Sequence, residues 1–210
     1  MSTVVAIDGP AGAGKSTVAR LVAERLNYAY INTGSLYRAL AYAATAAGVP
    51  FSEIDQKFLN SCQLEFRGAD LYCNGKLLSA ELRAPECARG ASVISANPLV
   101  RDYLMPVQRN SANGQWIVME GRDIGTVVFP DAEKKFFVTA SAEERARRRM
   151  LQGEAGADFA AILADIKARD ERDTNRAVAP LKQAPDAELV DTTGMDIDEV
   201  VEYICSRCRN

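Results

Sequence analysis

Residues Gly9 to Ser16 read Gly-Pro-Ala-Gly-Ala-Gly-Lys-Ser, a complete G-x-x-x-x-G-K-[ST] spacing in which small residues are closed by a cation and a hydroxyl. Small residues let a loop wrap closely round phosphate groups, so that successive backbone N–H groups and the following helix N-terminus point at the anion. Lys15 adds a charge, and Ser16 a hydroxyl suited to Mg²⁺. The pattern carries weight only between a strand and a helix. Here Thr3-Val4-Val5-Ala6-Ile7 reads as a buried parallel strand, and Val18, Leu21, Val22 and Leu26 mark one face of a following helix. A merely structural Gly-rich turn is the weaker alternative; the expectation is a protein that binds a nucleoside triphosphate.

The rest of the inventory limits what chemistry can accompany that loop. The chain contains no histidine, which removes Ser-His-Asp and Cys-His catalysis and histidine-ligated metals. Acid or base work falls to carboxylates, and charge stabilisation to Lys, Arg and a metal. Five cysteines, at positions 62, 73, 87, 205 and 208, are odd in number and scattered, so reduced thiols are expected. Cys205-x-x-Cys208 has metal-ligand spacing but no second close pair, and reads as two positions on a C-terminal helix. A net charge of −3 recommends neither a nucleic-acid nor a membrane-surface partner. No basic start precedes an apolar stretch and no apolar run is long enough to cross a bilayer, so a cytoplasmic location is expected.

The arginines cluster. Arg38 falls early in the helix after the second strand, in Asn32-Thr33-Gly34-Ser35-Leu36-Tyr37-Arg38, where a phosphate can meet both a helix start and a guanidinium fork. Arg145, Arg147, Arg148 and Arg149 crowd one helix; Arg169, Arg172 and Arg176 recur along one face of another. A solvated, salt-bridged surface suits Arg145, Arg147 and Arg172 best. The others suit phosphoryl transfer, where little covalent chemistry is asked of the protein and converging cations stabilise charge on the moving group. Glu120, after Trp116-Ile117-Val118-Met119, is either a Mg²⁺ partner through water or a loop anchor. A GTPase would need an Asn-Lys-x-Asp motif, which is absent.

These residues need a scaffold of parallel strands covered by helices on both faces, and the chain has its rhythm. Core strands are expected at 3–7, 28–31, 115–119, 134–138 and 188–191. Helices are expected at 15–26, 35–47, 99–112, 142–152, 159–174 and 197–207, with Thr33 or Ser35, Ser141 and Asp196 as N-caps. Residues 62 to 80 break the rhythm with three short antiparallel segments, 64–66, 70–73 and 76–78, joined at Arg67-Gly68-Ala69 and Asn74-Gly75. A small sheet-bearing insertion at 62–96 is the result. At 210 residues the chain makes one α/β domain.

Several stretches together resemble the bacterial cytidylate kinases. They are Gly9-Pro10-Ala11-Gly12-Ala13-Gly14-Lys15-Ser16-Thr17; Thr33-Gly34-Ser35-Leu36-Tyr37-Arg38; Glu120-Gly121-Arg122-Asp123-Ile124-Gly125-Thr126-Val127-Val128-Phe129-Pro130-Asp131-Ala132; Glu143-Glu144-Arg145-Ala146-x-Arg148-Arg149; and Arg169-Asp170-x-x-Asp173-x-Asn175-Arg176-Ala177-Val178-Ala179-Pro180-Leu181. They occur in that order over nearly the whole chain, and the third and fifth distinguish this family from adenylate, guanylate and thymidylate kinases.

The resemblance implies a single nucleoside-monophosphate kinase domain over 1–210. Its fold is the α/β, three-layer P-loop fold with a five-stranded parallel sheet, an antiparallel-sheet insertion in the acceptor-binding region (62–96) and a lid (145–160). It implies ATP and Mg²⁺, CMP or dCMP as acceptor, direct in-line transfer without a phosphoenzyme, and no nucleic-acid or membrane partner; a monomer is the simplest expectation. Gly9, Pro10, Ala11, Gly12, Ala13, Gly14, Lys15, Ser16 and Thr17 would hold the ATP phosphates, Ser16 touching Mg²⁺, with Arg148 and Arg149 near the lid. Thr33, Arg38, Ser92, Arg101, Arg122, Asp123, Arg169, Asp173 and Arg176 would surround the acceptor. Among them Lys15, Arg38, Arg122, Arg169 and Arg176 are candidates for clamping phosphates and transition state, and Ser92, Arg101 and Asp123 for reading the base. The segment Gln152 to Phe159 is shorter than the family's usual lid. A uridylate or thymidylate kinase is the alternative on the same scaffold, and a nucleotide-binding regulatory module the alternative from another class.

Overall fold

A computed structural model describes residues 4–151 and 158–209; most of the short segment after Leu151 therefore lies outside the described residues. Five parallel strands form the main sheet: β1 (Val4–Asp8), β2 (Ala29–Asn32), β6 (Ile117–Gly121), β7 (Lys134–Thr139) and β8 (Glu188–Asp191), in the order β2-β6-β1-β7-β8. With neighbours on both edges and helices on both faces, β1 and β6 are buried along their whole length, as continuous apolar runs in a parallel sheet should be.

Alternation sends the two sets of side chains to separate layers. Val5, Ile7, Val118, Phe136 and Val138 pack under α1 (Lys15–Leu26) and α8 (Ile197–Cys208), against Val18, Val22, Val201 and Ile204. Val4, Ala6, Ile31, Ile117 and Met119 face the other way, onto Ile124, Val128 and the start of the segment after α5 (Pro98–Asn110). The expected three layers are present. Three strands are displaced from their expected positions: the one at 115–119 runs from Ile117 to Gly121, the one at 3–7 from Val4 to Asp8, and the one at 28–31 from Ala29 to Asn32. The shift places Asp8 and Glu120 within strands, because parallel pairing continues through Ile7↔Glu120 and Asp8↔Gly121.

The second sheet is antiparallel, β3 (Leu64–Arg67), β4 (Asp70–Cys73) and β5 (Lys76–Leu78) in sequence order. Asn74 and Gly75 both carry positive φ, 50° and 78°, the backbone a two-residue hairpin turn requires. Two helices in this region were not expected, α3 (Gln56–Asn60) and α4 (Pro85–Ile94). Both are short and surrounded by turn-forming residues, which hides their period. The three-stranded sheet does not stand apart: Leu64, Leu71 and Leu78 join one apolar cluster with Leu36 and Leu40 of α2 (Thr33–Ala46), Ile94 of α4 and Leu104 of α5.

Helix starts follow from local hydrogen bonding. Asp196 caps α8 with a reciprocal capping box to Glu199, and the Ser141 hydroxyl accepts from the Glu144 N–H at 3.1 Å as α6 (Ala142–Leu151) begins. The cap of α2 is Asn32, whose side chain accepts from the Ser35 N–H; Thr33 and Ser35 lie inside the helix. Asn32 ends β2 in extended backbone, the geometry an N-cap needs, so strand and helix meet without a loop. The five cysteines are free thiols, and among the described residues no helix is long and apolar enough to cross a membrane. α7 (Phe159–Asn175) pairs with α6 around Ala146, Ile162 and Ile166.

α4 lies tight on α2 because Gly90 has no side chain: a Cβ there would sit 2.6 Å from the Phe51 ring and 2.7 Å from the Ala41 methyl. Gly90→Ala gains about 1 kcal/mol of helix propensity but forces apart a packed contact costing about 1–3 kcal/mol. A net loss of about 1 kcal/mol is expected in urea unfolding; an unchanged or raised midpoint would show that the two helices part freely.

Candidate active site

At the end of β1 the chain turns into the glycine loop. Gly9, at φ 148°, passes so close to the Val138 carbonyl oxygen that no other residue fits, and Gly14, at φ 83°, caps α1 in the left-handed conformation. Lys15 opens α1 almost fully buried, and its Nζ donates to the Pro10 carbonyl at 2.6 Å, closing the loop on itself. Burial, and then the charge of Arg122, hold its pKa well below the ordinary lysine value.

Glu120 reaches the loop from β6. Its Oε2 accepts from the Ser16 hydroxyl at 3.0 Å and its Oε1 from the Tyr30 hydroxyl at 2.5 Å, while the Asn32 amide donates to Tyr30 at 3.3 Å. Thr33 donates to the Glu120 carbonyl at 2.8 Å. A hydroxyl and a carboxylate side by side at the end of a phosphate loop are hard oxygen donors, a set that fits Mg²⁺ held mainly by phosphates and water. Among the described residues no group of three or more acidic or thiol ligands is present.

The acceptor-side elements converge on the same place. Ala11, Gly12, Gly14, Lys15, Ser16 and Thr17 share one cavity of about 260 Å³ with Thr33, Arg38, Ser92, Arg101, Arg122, Asp123, Arg169, Asp173 and Arg176. Gly9 and Pro10 shape the loop behind it. Arg148 stands apart, at a second cavity of about 550 Å³ between α1 and α8 that includes Ala13, Thr17, Val18, Met195, Ile197 and Val200. There it donates to the Thr192 hydroxyl at 2.9 Å and the Thr192 carbonyl at 2.7 Å.

The arginines of the first cavity divide into two kinds. Arg101 and Arg176 both donate to Asp123, Arg176 at 3.3 Å, and Arg122 Nε donates to Asp173 at 2.9 Å. These cations are balanced and held. Arg38 and Arg169, by contrast, have no carboxylate partner among the described residues, and Arg169 Nε is buried without any hydrogen bond. Burial, then Arg122, push the Arg169 pKa down to about 10. A buried donor without a partner is expensive unless an anion arrives to satisfy it.

Three features escaped the sequence reading. Tyr37 lines the cavity beneath Arg101, whose guanidinium lies 5.9 Å from its ring, and burial pushes its hydroxyl up to about 12. Asp8 accepts the N–H groups of Ile124 at 2.8 Å and Gly125 at 2.7 Å, fixing the wide turn Ile124–Val128 that follows Arg122 and Asp123. Arg145, expected on the solvated surface, is buried, and donates to Ala140, Ala11 and Asp170. Nothing in its spacing separates it from Arg147, which is exposed and pairs with Glu144 as expected.

A glycine loop between a parallel strand and a helix, facing a cluster of cations, defines a P-loop phosphotransferase. Solved structures of similar fold include an uncharacterized protein from Eubacterium ventriosum (15% identical, 99% of both chains, TM-score 0.58) and a gluconokinase from Sinorhizobium meliloti (14% identical, 98% of this chain and 90% of that one, TM-score 0.51). The chain belongs to the cytidylate kinase family, whose model matches residues 5–210. Relatives named cytidylate kinase are 47% identical in Symbiobacterium thermophilum (98% of this chain, 96% of that one) and 48% identical in Shouchella clausii (95% and 93%). Another, in Fervidobacterium nodosum, is 44% identical over 100% of this chain and 99% of its own.

Asp8 lends the site a pH signature. Burial lifts its pKa from 3.8 to about 6 in spite of the two N–H groups and Lys15, which lower it, and Asp123 adds to the rise. The folded protein therefore holds this proton more tightly than the unfolded chain: its contribution is complete below pH 3.8 and is lost as pH rises through 6. Relative to Asp8→Asn, wild-type stability in urea should fall by about 2 kcal/mol between pH 4 and pH 7. A difference that stays constant across that range would remove the assignment.

Proposed function

We propose that this enzyme transfers the γ-phosphoryl group of ATP directly to the phosphate of CMP or dCMP, in line and without a phosphoenzyme. The carrying observation is that Arg38 and Arg169, cations without a carboxylate partner among the described residues, share one cavity with Lys15 and the glycine loop. One polyphosphate on the loop and one monophosphate beside it satisfy all three.

Lys15 would leave the Pro10 carbonyl for the donor phosphates, while loop N–H groups align them. Ser16 and Glu120 would hold Mg²⁺, which when bound would supply neutralising charge to the phosphates. Arg38 and Arg169 would hold the acceptor phosphate; Arg122 and Arg176, kept in position by Asp173 and Asp123, would meet charge developing on the equatorial oxygens. No general base is required, since the acceptor is already an anion at neutral pH, and both nearby aspartates are committed to arginines. The second cavity, apolar on the Val18, Ile197 and Val200 side with Arg148 at its rim, suits the adenosine of the donor. The α6–α7 hairpin, tied by Lys167–Glu143 and Arg145–Asp170, would serve as the base of the lid.

For the base, Asp123 has lone pairs left beyond those used by Arg101 and Arg176, enough to accept the exocyclic amine of cytosine. Uracil would bring a carbonyl oxygen to the same carboxylate. Since each mismatched buried polar pair costs about 1–3 kcal/mol, kcat/KM for CMP should exceed that for UMP by about ten- to several-hundred-fold.

Two experiments test the reading. In a coupled ADP-release assay against a panel of nucleoside monophosphates, Lys15→Met should abolish turnover in a folded protein, a loss of several kcal/mol of transition-state stabilisation, on the order of that of an oxyanion donor. Near wild-type turnover would end the proposal. Asp123→Asn, which retains the shape between the two arginines, should cut CMP turnover and narrow the CMP/UMP ratio about tenfold, whereas Arg38→Ala should weaken both substrates alike. An unchanged ratio in Asp123→Asn would reassign Asp123 to holding its arginines.

A further inference from the structure

The Arg145 guanidinium sits where three elements meet. Nε donates to the Ala140 carbonyl at the end of β7 at 2.9 Å, Nη1 donates to the Ala11 carbonyl of the glycine loop at 2.9 Å, and Nη1 and Nη2 form a fork on Asp170 of α7 at 3.1 and 2.6 Å. The residue is 5% exposed, and its bond to Ala140 is buried while those to Ala11 and Asp170 are partly so. Ala11 lines the first cavity and Arg145 does not.

The bond to Ala11 has a consequence set by peptide geometry. A trans peptide is planar, so the C=O of Ala11 and the N–H of Gly12 point in opposite directions. Gly12, at φ 76°, tolerates either sign of φ, and so offers little backbone resistance to rotation of that plane. Rotated, the plane would turn a carbonyl oxygen toward the phosphates in place of an N–H. The loop around it is also close: a Cβ on Gly12 would lie 3.4 Å from that of Arg145.

We propose that Arg145 is a positioning residue for the donor site: by holding the Ala11 carbonyl it pins the Ala11–Gly12 peptide with the Gly12 N–H turned toward the triphosphate. The Asp170 fork holds the guanidinium in the one orientation that reaches Ala11. Lysine, with a point charge and no fork, reproduces one of these bonds at a time. The inference rests on ATP being the donor.

The test separates the donor site from the acceptor. In calorimetric titration with a non-hydrolysable ATP analogue and, separately, with CMP, Arg145→Met should weaken the analogue at least about tenfold and change CMP affinity by less than about threefold. Asp170→Asn, which leaves the bond to Ala11 available, should lose less analogue affinity than Arg145→Met. In wild-type protein the Gly12 amide proton should move downfield on analogue binding; in Arg145→Met that movement should vanish while the rest of the amide spectrum stays dispersed. Analogue affinity within about twofold of wild type, an equal loss for both nucleotides, or a retained Gly12 shift would each overturn the proposal. If Arg145→Met fails to fold, Arg145→Lys, which can hold only one of the three acceptors at a time, should show the same analogue-specific loss in smaller degree, about threefold or more, and an equal loss for both nucleotides or none for the analogue would overturn the proposal. Wild-type protein that binds the analogue but leaves CMP unphosphorylated would defeat the acceptor assignment alone.

Discussion

Everything in this molecule is arranged around the cost of gathering like charges in one place. Six cations, Lys15, Arg38, Arg101, Arg122, Arg169 and Arg176, line a single cavity with three carboxylates, Glu120, Asp123 and Asp173. Left to itself such a cluster would repel and draw in water. Parallel strands prevent that by ending together, so that β1, β2 and β6 deliver the loop, the start of α2 and the Arg122–Asp123 turn to one edge of a sheet too rigid to splay. The partial pairing is equally necessary. Asp123 and Asp173 fix three arginines, and the surplus of positive charge is left on groups that have nowhere else to turn.

That division explains how much could be read from the chain beforehand. The glycine loop and the alternation of apolar runs with helical periods are local signals, and the three layers followed from them. The arginines were visible as types and spacings but not as partners. Arg145 and Arg147 are two residues apart on one helix, and only the packing of α6 against the loop and α7 makes the first a buried side chain bonded to both and the second a solvated one. Asp8 was equally obscure, and Glu120, visible as a carboxylate beside the loop, was not visible as part of a strand. Each sits at the end of an apolar run where a strand and a loop look alike, and the sheet decides by continuing its pairing through them. Tyr37 reads as one more apolar position of α2, since nothing nearby in the chain announces that Arg101 will lie over it.

The comparisons divide along the same line. Solved structures at 14–15% identity share the arrangement of strands and helices and so speak for the scaffold. Relatives at 44–48% identity over nearly the entire chain speak for the family. What lies between is the geometry of individual side chains: which cation has a carboxylate partner, which buried donor has none, and which carbonyl a buried arginine holds.

The contact between Lys15 and the Pro10 carbonyl has a bearing on which anions the loop retains. Because the ammonium is already hydrogen-bonded and dry, an incoming ligand must replace a bond in place rather than complete an empty one. A chloride or a lone inorganic phosphate, touching few of the loop's N–H groups, offers little to offset that exchange. A chelating polyphosphate spanning the loop and the Ser16 hydroxyl offers much more, and gathers its contacts without first having to order the chain. Such a lysine would act as a threshold, one that the small anions of a salt solution would not reach and a ligand with several phosphates in a row would.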